Sequence, residues 1–283
     1  MSKLYIGVDI GGTSIVAARF SESEMLNKVE VATGAERPAE QIMESLYQAI
    51  QQVLTKQVVG IGIGMPGFMN AETGEILQIN NIKSFNGFFI KPAVEKRFKL
   101  PAFQSNDANC FALGETYYGA GKKYNNLMGI TLGTGLGGGV ILNRKIHTGL
   151  MGGAGELGCV PFHGGIVEDI CSAALFKNKY NTTGTELYSK AKAGDQKALA
   201  VFEELARNIG ELIRIAMYIL APEAFVIGGS VSNSWDLLEK PLRKEVDKFL
   251  VPMISSKVEL VKAELDNAGL YGAAALCISQ MES

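Results

Sequence analysis

The chain has 283 residues, 47% of them hydrophobic and 20% charged, so it can build a sizeable core and has the length of two lobes. A formal net charge of −2 gives no general basic footprint for nucleic acid or an anionic membrane, and no long apolar run offers a membrane span. The four cysteines (Cys110, Cys159, Cys171 and Cys277) form no CxxC pair, which favours a reducing compartment, the cytoplasm, over a disulfide framework. The N-terminal MSKLYIGVDIGG lacks the long apolar region of a signal peptide. Thirty-three glycines exceed the usual share of about 7%, marking places where backbone turns tightly or approaches something closely.

In chain order, residues 4–8 predict a strand running into a Gly11-Gly12-Thr13 turn, with residues 15–20 as the return strand. Apolar residues at Ile42, Leu46, Ile50 and Val53 predict an amphipathic helix over 39–54. A strand over 58–63 ends at Pro66-Gly67. Residues 103–105 predict a strand that leads into Asn106-Asp107-Ala108-Asn109 and a helix. This puts a polar cluster at a strand's C-terminal edge, where open α/β sheets bind ligands.

The second half starts the same way: a strand over 127–132, a glycine-rich turn over 133–139 and a return strand over 140–142. Offsetting the chain by 122 residues lays Gly7 on Gly129, Asp9 on Thr131 and Gly11 on Gly133, an internal repeat that agrees with the two-lobe length. Phe202, Leu205, Ile209, Leu212, Ala216 and Ile219 predict a long helix stopped by Pro222. A strand over 224–227 then enters Gly228-Gly229, and residues 268–281 predict a final helix.

The glycine turns carry the chemistry. At Gly11-Gly12-Thr13 the backbone N–H groups can face a polyanion with no Cβ in the way, and Asp9 at the strand end can orient a magnesium ion, often through water; a simple β-turn is the competing reading. Gly133-Thr134-Gly135-Leu136-Gly137-Gly138-Gly139 is a second phosphate cradle. It does not match GxxxxGK[ST] and is followed by a strand rather than a helix, which excludes a Walker loop and argues against a Rossmann site. Gly228-Gly229 is a third glycine turn, and the three together point to a nucleotide held by two lobes.

A hydroxyl attacking a γ-phosphoryl group must lose its proton to a nearby carboxylate, and Asp107 stands where such a base belongs; by position alone the helix N-cap reading is the stronger. Glu156, within Gly152-Gly153-Ala154-Gly155-Glu156-Leu157-Gly158, could bind a polyhydroxylated ligand or be a solvated loop residue. His147 and His163 read as surface or loop residues, and no GxSxG elbow is present.

These motifs resemble the ROK family of sugar kinases and repressors, within the actin-like ATPase superfamily. In order they are DIGGT (9–13), GIGMPG (62–67), NDAN (106–109), GTGLGGG (133–139), GGAGELG (152–158) and PEAFVIGGSVS (222–232), covering nearly the whole chain. The resemblance implies an α/β protein of two actin-like (ribonuclease H-like) lobes with a ligand cleft between them. Residues 1–116, joined by the helix 268–283, would form one lobe and residues 117–267 the other.

It implies ATP-dependent phosphorylation of a hexose or N-acetylhexosamine hydroxyl, with Asp107 as general base. Gly67, Asn81, Asn106, Asp107, Glu156 and Glu168 would contact the sugar. Gly11, Gly12, Thr13, Thr134 and Gly135 would cradle phosphates, with Asp9 near Mg²⁺ through water and Gly229 against the nucleoside. The implied cofactors are ATP and Mg²⁺, and the implied partners are a small-molecule sugar and a second copy of the chain as a homodimer, with no nucleic acid and no membrane.

The departures from the family are local. Cys159 stands where a histidine binding zinc and sugar is usual, and the cysteine-rich zinc loop is replaced by Val160-Pro161-Phe162-His163-Gly164-Gly165-Ile166-Val167-Glu168. Glu168 aligns with the glutamate that closes that loop, and the spread of Cys159, His163 and Cys171 gives no expectation of a zinc site. Two alternatives stay open. One is a sugar-responsive regulator, although the first strand begins by Leu4 and leaves no room for a preceding helix-turn-helix; the other is a catalytically weak sugar sensor.

Overall fold

The computed structural model describes residues 3–70 and 72–281. The chain opens with a meander of β1 (Leu4–Ile10), β2 (Ser14–Phe20) and β3 (Met25–Ala32), followed by α1 (Ala39–Val53) and β4 (Val58–Met65). A small hairpin of β5 (Phe68–Met69) and β6 (Ile76–Gln78) precedes α2 (Ile90–Phe98), β7 (Ala102–Asn106) and α3 (Asp107–Tyr117). The second half repeats the opening with β8 (Leu127–Leu132), β9 (Leu136–Leu142) and β10 (Lys145–Ile146). There follow the hairpin β11 (Pro161–Phe162) and β12 (Gly165–Ile166), then α4 (Val167–Cys171), α5 (Ala174–Tyr180), α6 (Gly184–Lys192) and α7 (Gln196–Ile219). The chain ends with β13 (Ala224–Gly228), α8 (Trp235–Val246), α9 (Pro252–Ser255), β14 (Glu259–Lys262) and α10 (Ala268–Met281).

Two five-stranded sheets have the same order, β3-β2-β1-β4-β7 and β10-β9-β8-β13-β14. In each, the first strand of a meander lies at the centre and two later strands extend the sheet in parallel on its other side. The repeat read from the glycines is therefore a repeat of topology. One boundary differs from the sequence reading: β9 begins at Leu136, so the second glycine turn spans only Gly133–Gly135 and the later glycines are strand residues.

The chain divides into two compact units: Met1–Lys123 with Gly139–Ala154 and Glu264–Ser283, and Tyr124–Gly138 with Gly155–Ala263. The division departs from a split at 116/117 and 267/268, because residues 139–154 and the segments flanking α3 and α10 pack with the first unit. Arg144 donates to the carbonyls of Thr116 and Lys122. Buried Glu115 takes the amides of Ala120, Glu264 and Leu265.

In unit 1, alternate residues of β1 (Ile6, Val8, Ile10) meet the apolar stripe of α1 (Ile42, Leu46, Ile50), all fully buried. On the other face α10 lies against β1 and β4, with α3 against α10. Both helices are apolar on nearly every side, as helices covered all round must be. In unit 2 the long α7 buries Val201, Leu205, Ile209, Leu212 and Ala216. No helix among the described residues is long and apolar enough to cross a membrane.

Two glycines make the α10 packing possible. A Cβ on Gly62 of β4 would run into the carbonyl oxygen of Ala273 on α10, and one on Gly272 of α10 into the carbonyl oxygen of Cys110 on α3. Backbone cannot yield as a flexible side chain does. Gly62→Ala and Gly272→Ala should each lower Tm by about 10 °C or more, or prevent folding. Circular dichroism melts indistinguishable from the parent would show that this contact is not as close as described.

Candidate active site

In unit 1, candidate residues gather at the C-terminal ends of β1, β4 and β7. Asp9 is the next-to-last residue of β1, paired with Val16 on β2 and Gly64 on β4. The Gly11–Thr13 turn follows it. The Gly11 amide donates to Ser14 O at 2.9 Å, and Thr33 Oγ1 donates to Gly11 O at 2.6 Å, so the turn is held from outside. Asn81 lies against the backbone of Gly12. Gly67, at the end of β4, takes a left-handed φ of 98° against the carbonyl of Gln78.

Asn106 ends β7 and Asp107 begins α3. The cap of α3 is Asn106, whose Oδ1 accepts the Asn109 amide at 2.8 Å. Asp107 is thereby left out of the capping role that its position alone allowed. It stands at the first helical residue, its Oδ1 accepting the Ala108 amide at 2.8 Å. Its side chain is reachable by solvent, as a base that must meet a substrate hydroxyl has to be. The surrounding protein still desolvates it, and desolvation outweighs the backbone hydrogen bond from Ala108, so its pKa is raised.

Asp9 is pushed further. Burial first, then the charge of Asp107, moves its carboxyl from the ordinary 3.8 up to about 6. Buried Cys110, one turn along α3, is raised by burial and then by the charges of both aspartates. The two carboxylates therefore share one electrostatic neighbourhood.

Unit 2 holds the other glycine turns. Gly133–Gly135 is a tight turn closed by a 2.9 Å bond from the Gly133 amide to Gly135 O. Gly229, at a φ of 82°, packs on the backbone of Leu132, so the turns at 133–135 and 228–229 adjoin. A cavity of about 320 Å³ lies beyond Gly229, lined by Ala173, Phe176, Thr185, Tyr188, Ser230 and Asn233 among others. Its size suits a flat ring system. Sequence reading missed these lining residues, because they come from three separate segments; only Ser230, inside the PEAFVIGGSVS motif, carried a signal.

Glu156 heads the 3₁₀ turn Leu157–Cys159, which packs beside α4 and the start of β9. Glu168, on the first turn of α4, accepts the Leu136 amide at 2.9 Å. The structure thus gathers Asp9, Gly11, Gly12, Thr13, Gly67, Asn81, Asn106 and Asp107 in unit 1, and Thr134, Gly135, Glu156, Glu168 and Gly229 in unit 2. Among the described residues no group of three or more His, Cys, Asp and Glu side chains is arranged to hold a metal ion. Cys171 is buried, Cys159 is exposed, and His163 faces Glu211 at 3.1 Å.

The model of the ROK family matches residues 5–280. A glucokinase from Halalkalibacterium halodurans is 34% identical over 318 residues, covering 99% of this chain and 96% of its own. An N-acetyl-D-glucosamine kinase from Mannheimia succiniciproducens is 32% identical, with 97% and 99% covered. Among solved structures, a ROK family glucokinase from Streptomyces griseus in complex with glucose and AMPPNP superposes with a TM-score of 0.77 at 31% identity, over 96% of this chain and 98% of that one.

The raised pKa of Asp9 makes a stability prediction. A carboxyl whose folded pKa exceeds its unfolded one stabilises the fold below the unfolded value, and that stability is lost as pH rises through the folded value. The window runs from about 3.8 to about 6. In the ligand-free protein Asp9→Asn should therefore raise stability at pH 7.5 by roughly 2 kcal/mol, allowing for partial exposure, and leave it unchanged near pH 3, below the window. Melting curves at both pH values test this, and equal effects at both would refute the assignment.

Proposed function

Since this chain belongs to the ROK family, we propose that it is an ATP-dependent kinase that phosphorylates a hydroxyl of a glucose-type hexose or an N-acetylhexosamine. Both glucokinases and N-acetylglucosamine kinases stand among its relatives, so the reading spans both sugar classes. The observation that carries it is Asp107: a solvent-reachable carboxylate, released from capping by Asn106, raised in pKa, and set beside Asp9 and a backbone turn built to face an anion.

In this reading the sugar hydroxyl donates to the Asp107 carboxylate, which takes the proton as the oxygen bonds to the γ-phosphorus and ADP departs. A raised pKa makes Asp107 the stronger base, provided that it is ionised at the working pH. The turns at Gly11–Thr13 and Gly133–Gly135 offer the N–H groups of Gly12, Thr13, Thr134 and Gly135 to the phosphates, the Gly11 and Gly133 amides closing the turns themselves, and the cavity beyond Gly229 takes the nucleoside. Gly67, Asn81, Asn106, Glu156 and Glu168 form the sugar contacts. Because Asn106 Oδ1 already accepts the Asn109 amide, its Nδ2 is the group offered to a sugar hydroxyl.

Asp9 fits a magnesium position, through water. A carboxyl raised by burial and by a second carboxylate gains most from a nearby divalent cation. Bound there, the ion would neutralise charge on the transferred phosphoryl group. No zinc enters this reading.

The enzyme would act in the cytoplasm on a free sugar, without nucleic acid or membrane, and as a homodimer. Four free cysteines support the compartment. An apolar surface on unit 2 supports the dimer: Ile219, Leu250 and Met253 are 75%, 78% and 72% exposed, close to Tyr218, whose hydroxyl accepts the Leu250 amide at 3.3 Å.

Asp107→Asn should lower kcat at least about 10³-fold while glucose or N-acetylglucosamine binding, read by calorimetry, stays within a few fold. A residual rate within tenfold of the parent would remove Asp107 as the base. Light scattering should give twice the 30.3 kDa chain mass, and Ile219→Glu should shift the species toward the monomer. A parent that scatters as a monomer at tens of micromolar would reject the dimer.

A further inference from the structure

The turn at Gly133–Gly135 is held in shape by one short helix, and this has a consequence for Glu168. Four consecutive residues are tied to α4 or to its C-terminal end. The Gly133 carbonyl accepts the Ala173 amide at 3.0 Å. The Thr134 carbonyl accepts Ser172 Oγ at 3.2 Å. Gly135 lies so close to Glu168 that any Cβ there would run into the carboxylate. Leu136 donates its amide to Glu168 Oε2 at 2.9 Å.

Ser172 has no solvent exposure; its one hydroxyl proton is shared between Thr134 O and the nearer Glu168 O at 2.7 Å, while its oxygen accepts the Ala174 amide at 3.0 Å. The helix is anchored in turn: Asn208 on α7 donates from Nδ2 to Ile170 O at 3.1 Å. A glycine-rich turn has little stiffness of its own, so its shape comes from these outside bonds.

We propose that Glu168 and Ser172 are positioning residues for nucleotide binding. Together they fix the 133–136 backbone in the conformation that presents the Thr134 and Gly135 N–H groups to phosphate, the Gly133 and Leu136 amides being used within the turn and on Glu168. Ser172 touches the turn only through its carbonyl side and the helix. Glu168 spends one carboxylate oxygen on Leu136, and its Oε1 makes no hydrogen bond among the described residues, leaving that atom for a sugar hydroxyl. Carboxylate hydrogen bonds to backbone amides are charge-assisted, stronger than neutral ones, and this one acts before any ligand arrives. This role rests on the kinase reading, but it is separate from contact with the sugar.

The test is the affinity of the full chain for AMPPNP with Mg²⁺ and no sugar present, by calorimetry. Glu168→Ala and Ser172→Ala should each weaken it by about tenfold. Glu168→Gln, whose amide oxygen can still accept the Leu136 N–H, should recover most of the loss. Ser172→Ala should leave sugar affinity within about twofold of the parent. Hydrogen exchange offers a readout independent of any ligand: the Leu136 amide should lose protection in Glu168→Ala and keep it in Glu168→Gln. Unchanged AMPPNP affinity and unchanged Leu136 protection in a folded Glu168→Ala protein would overturn the proposal and leave Glu168 as a sugar contact alone. A parent with no affinity for AMPPNP would instead sink the kinase reading, and this inference with it.

Discussion

The backbone contacts of Gly62 with Ala273 and of Gly272 with Cys110 set the geometry of unit 1. They stack the sheet, α10 and α3 with almost no side-chain thickness between them. Had ordinary residues occupied these positions, helix and sheet would stand several ångströms further apart, as side-chain-mediated packing requires. Asp9 is fixed by β1 and Asp107 by the first turn of α3. The charge of Asp107 adds to burial in raising the pKa of Asp9.

Helix α3 carries this constraint from end to end. Asp107 opens it, and two turns later Glu115 is wholly buried. A buried carboxylate is costly unless donors surround it. Here the donors are the amides of Ala120 at 2.8 Å, Leu265 at 2.9 Å and Glu264 at 3.2 Å. Those amides belong to the segment leaving α3 and to the segment entering α10. One side chain therefore fixes the far end of the helix to both, and the near end inherits a defined position. Glu115 was visible in the sequence only as an acidic residue in an otherwise apolar stretch, a pattern that says nothing about which amides it binds.

Where the chain's chemistry is local, the sequence was readable. The strands flanking Gly11–Thr13, the strand-to-helix passage at Asn106–Asp107 and the periodic helices α1 and α7 lie where their patterns put them. Position put the cap at Asp107, but Asn106 is as good a cap, and the observed bond from the Asn109 amide selects Asn106. The glycines after Leu136 looked like turn, since glycine weakens a strand. They serve in β9 because Gly138 meets the carbonyl of Gly155 and Gly139 that of Ala108, contacts between segments distant in the chain. β3 escaped notice because it is a largely exposed edge strand, and α8 because it is highly charged and contains Pro241. The cavity beyond Gly229 is the extreme case, since no local pattern joins Ala173, Tyr188 and Asn233.

The segment 160–168 shows how a loop without ligating cysteines can still present a glutamate firmly. His163 and Gly164 take φ values of 48° and 84°, both left-handed, the requirement of the two-residue turn that matches strand twist. Pro161 pairs with Ile166 and Phe162 with Gly165, and the Val167 amide closes the base of the hairpin on Val160 O at 3.0 Å. Phe162 is buried beneath it, and Asp169 accepts the Ile166 amide at 3.2 Å as α4 begins. The His163–Glu211 pair is exposed and adds little. So short a loop costs little entropy to close, and hydrogen bonds worth about 1 kcal/mol each are enough to order it. The hairpin ends where α4 starts, so the closure that orders the loop also delivers Glu168 to the amide of Leu136.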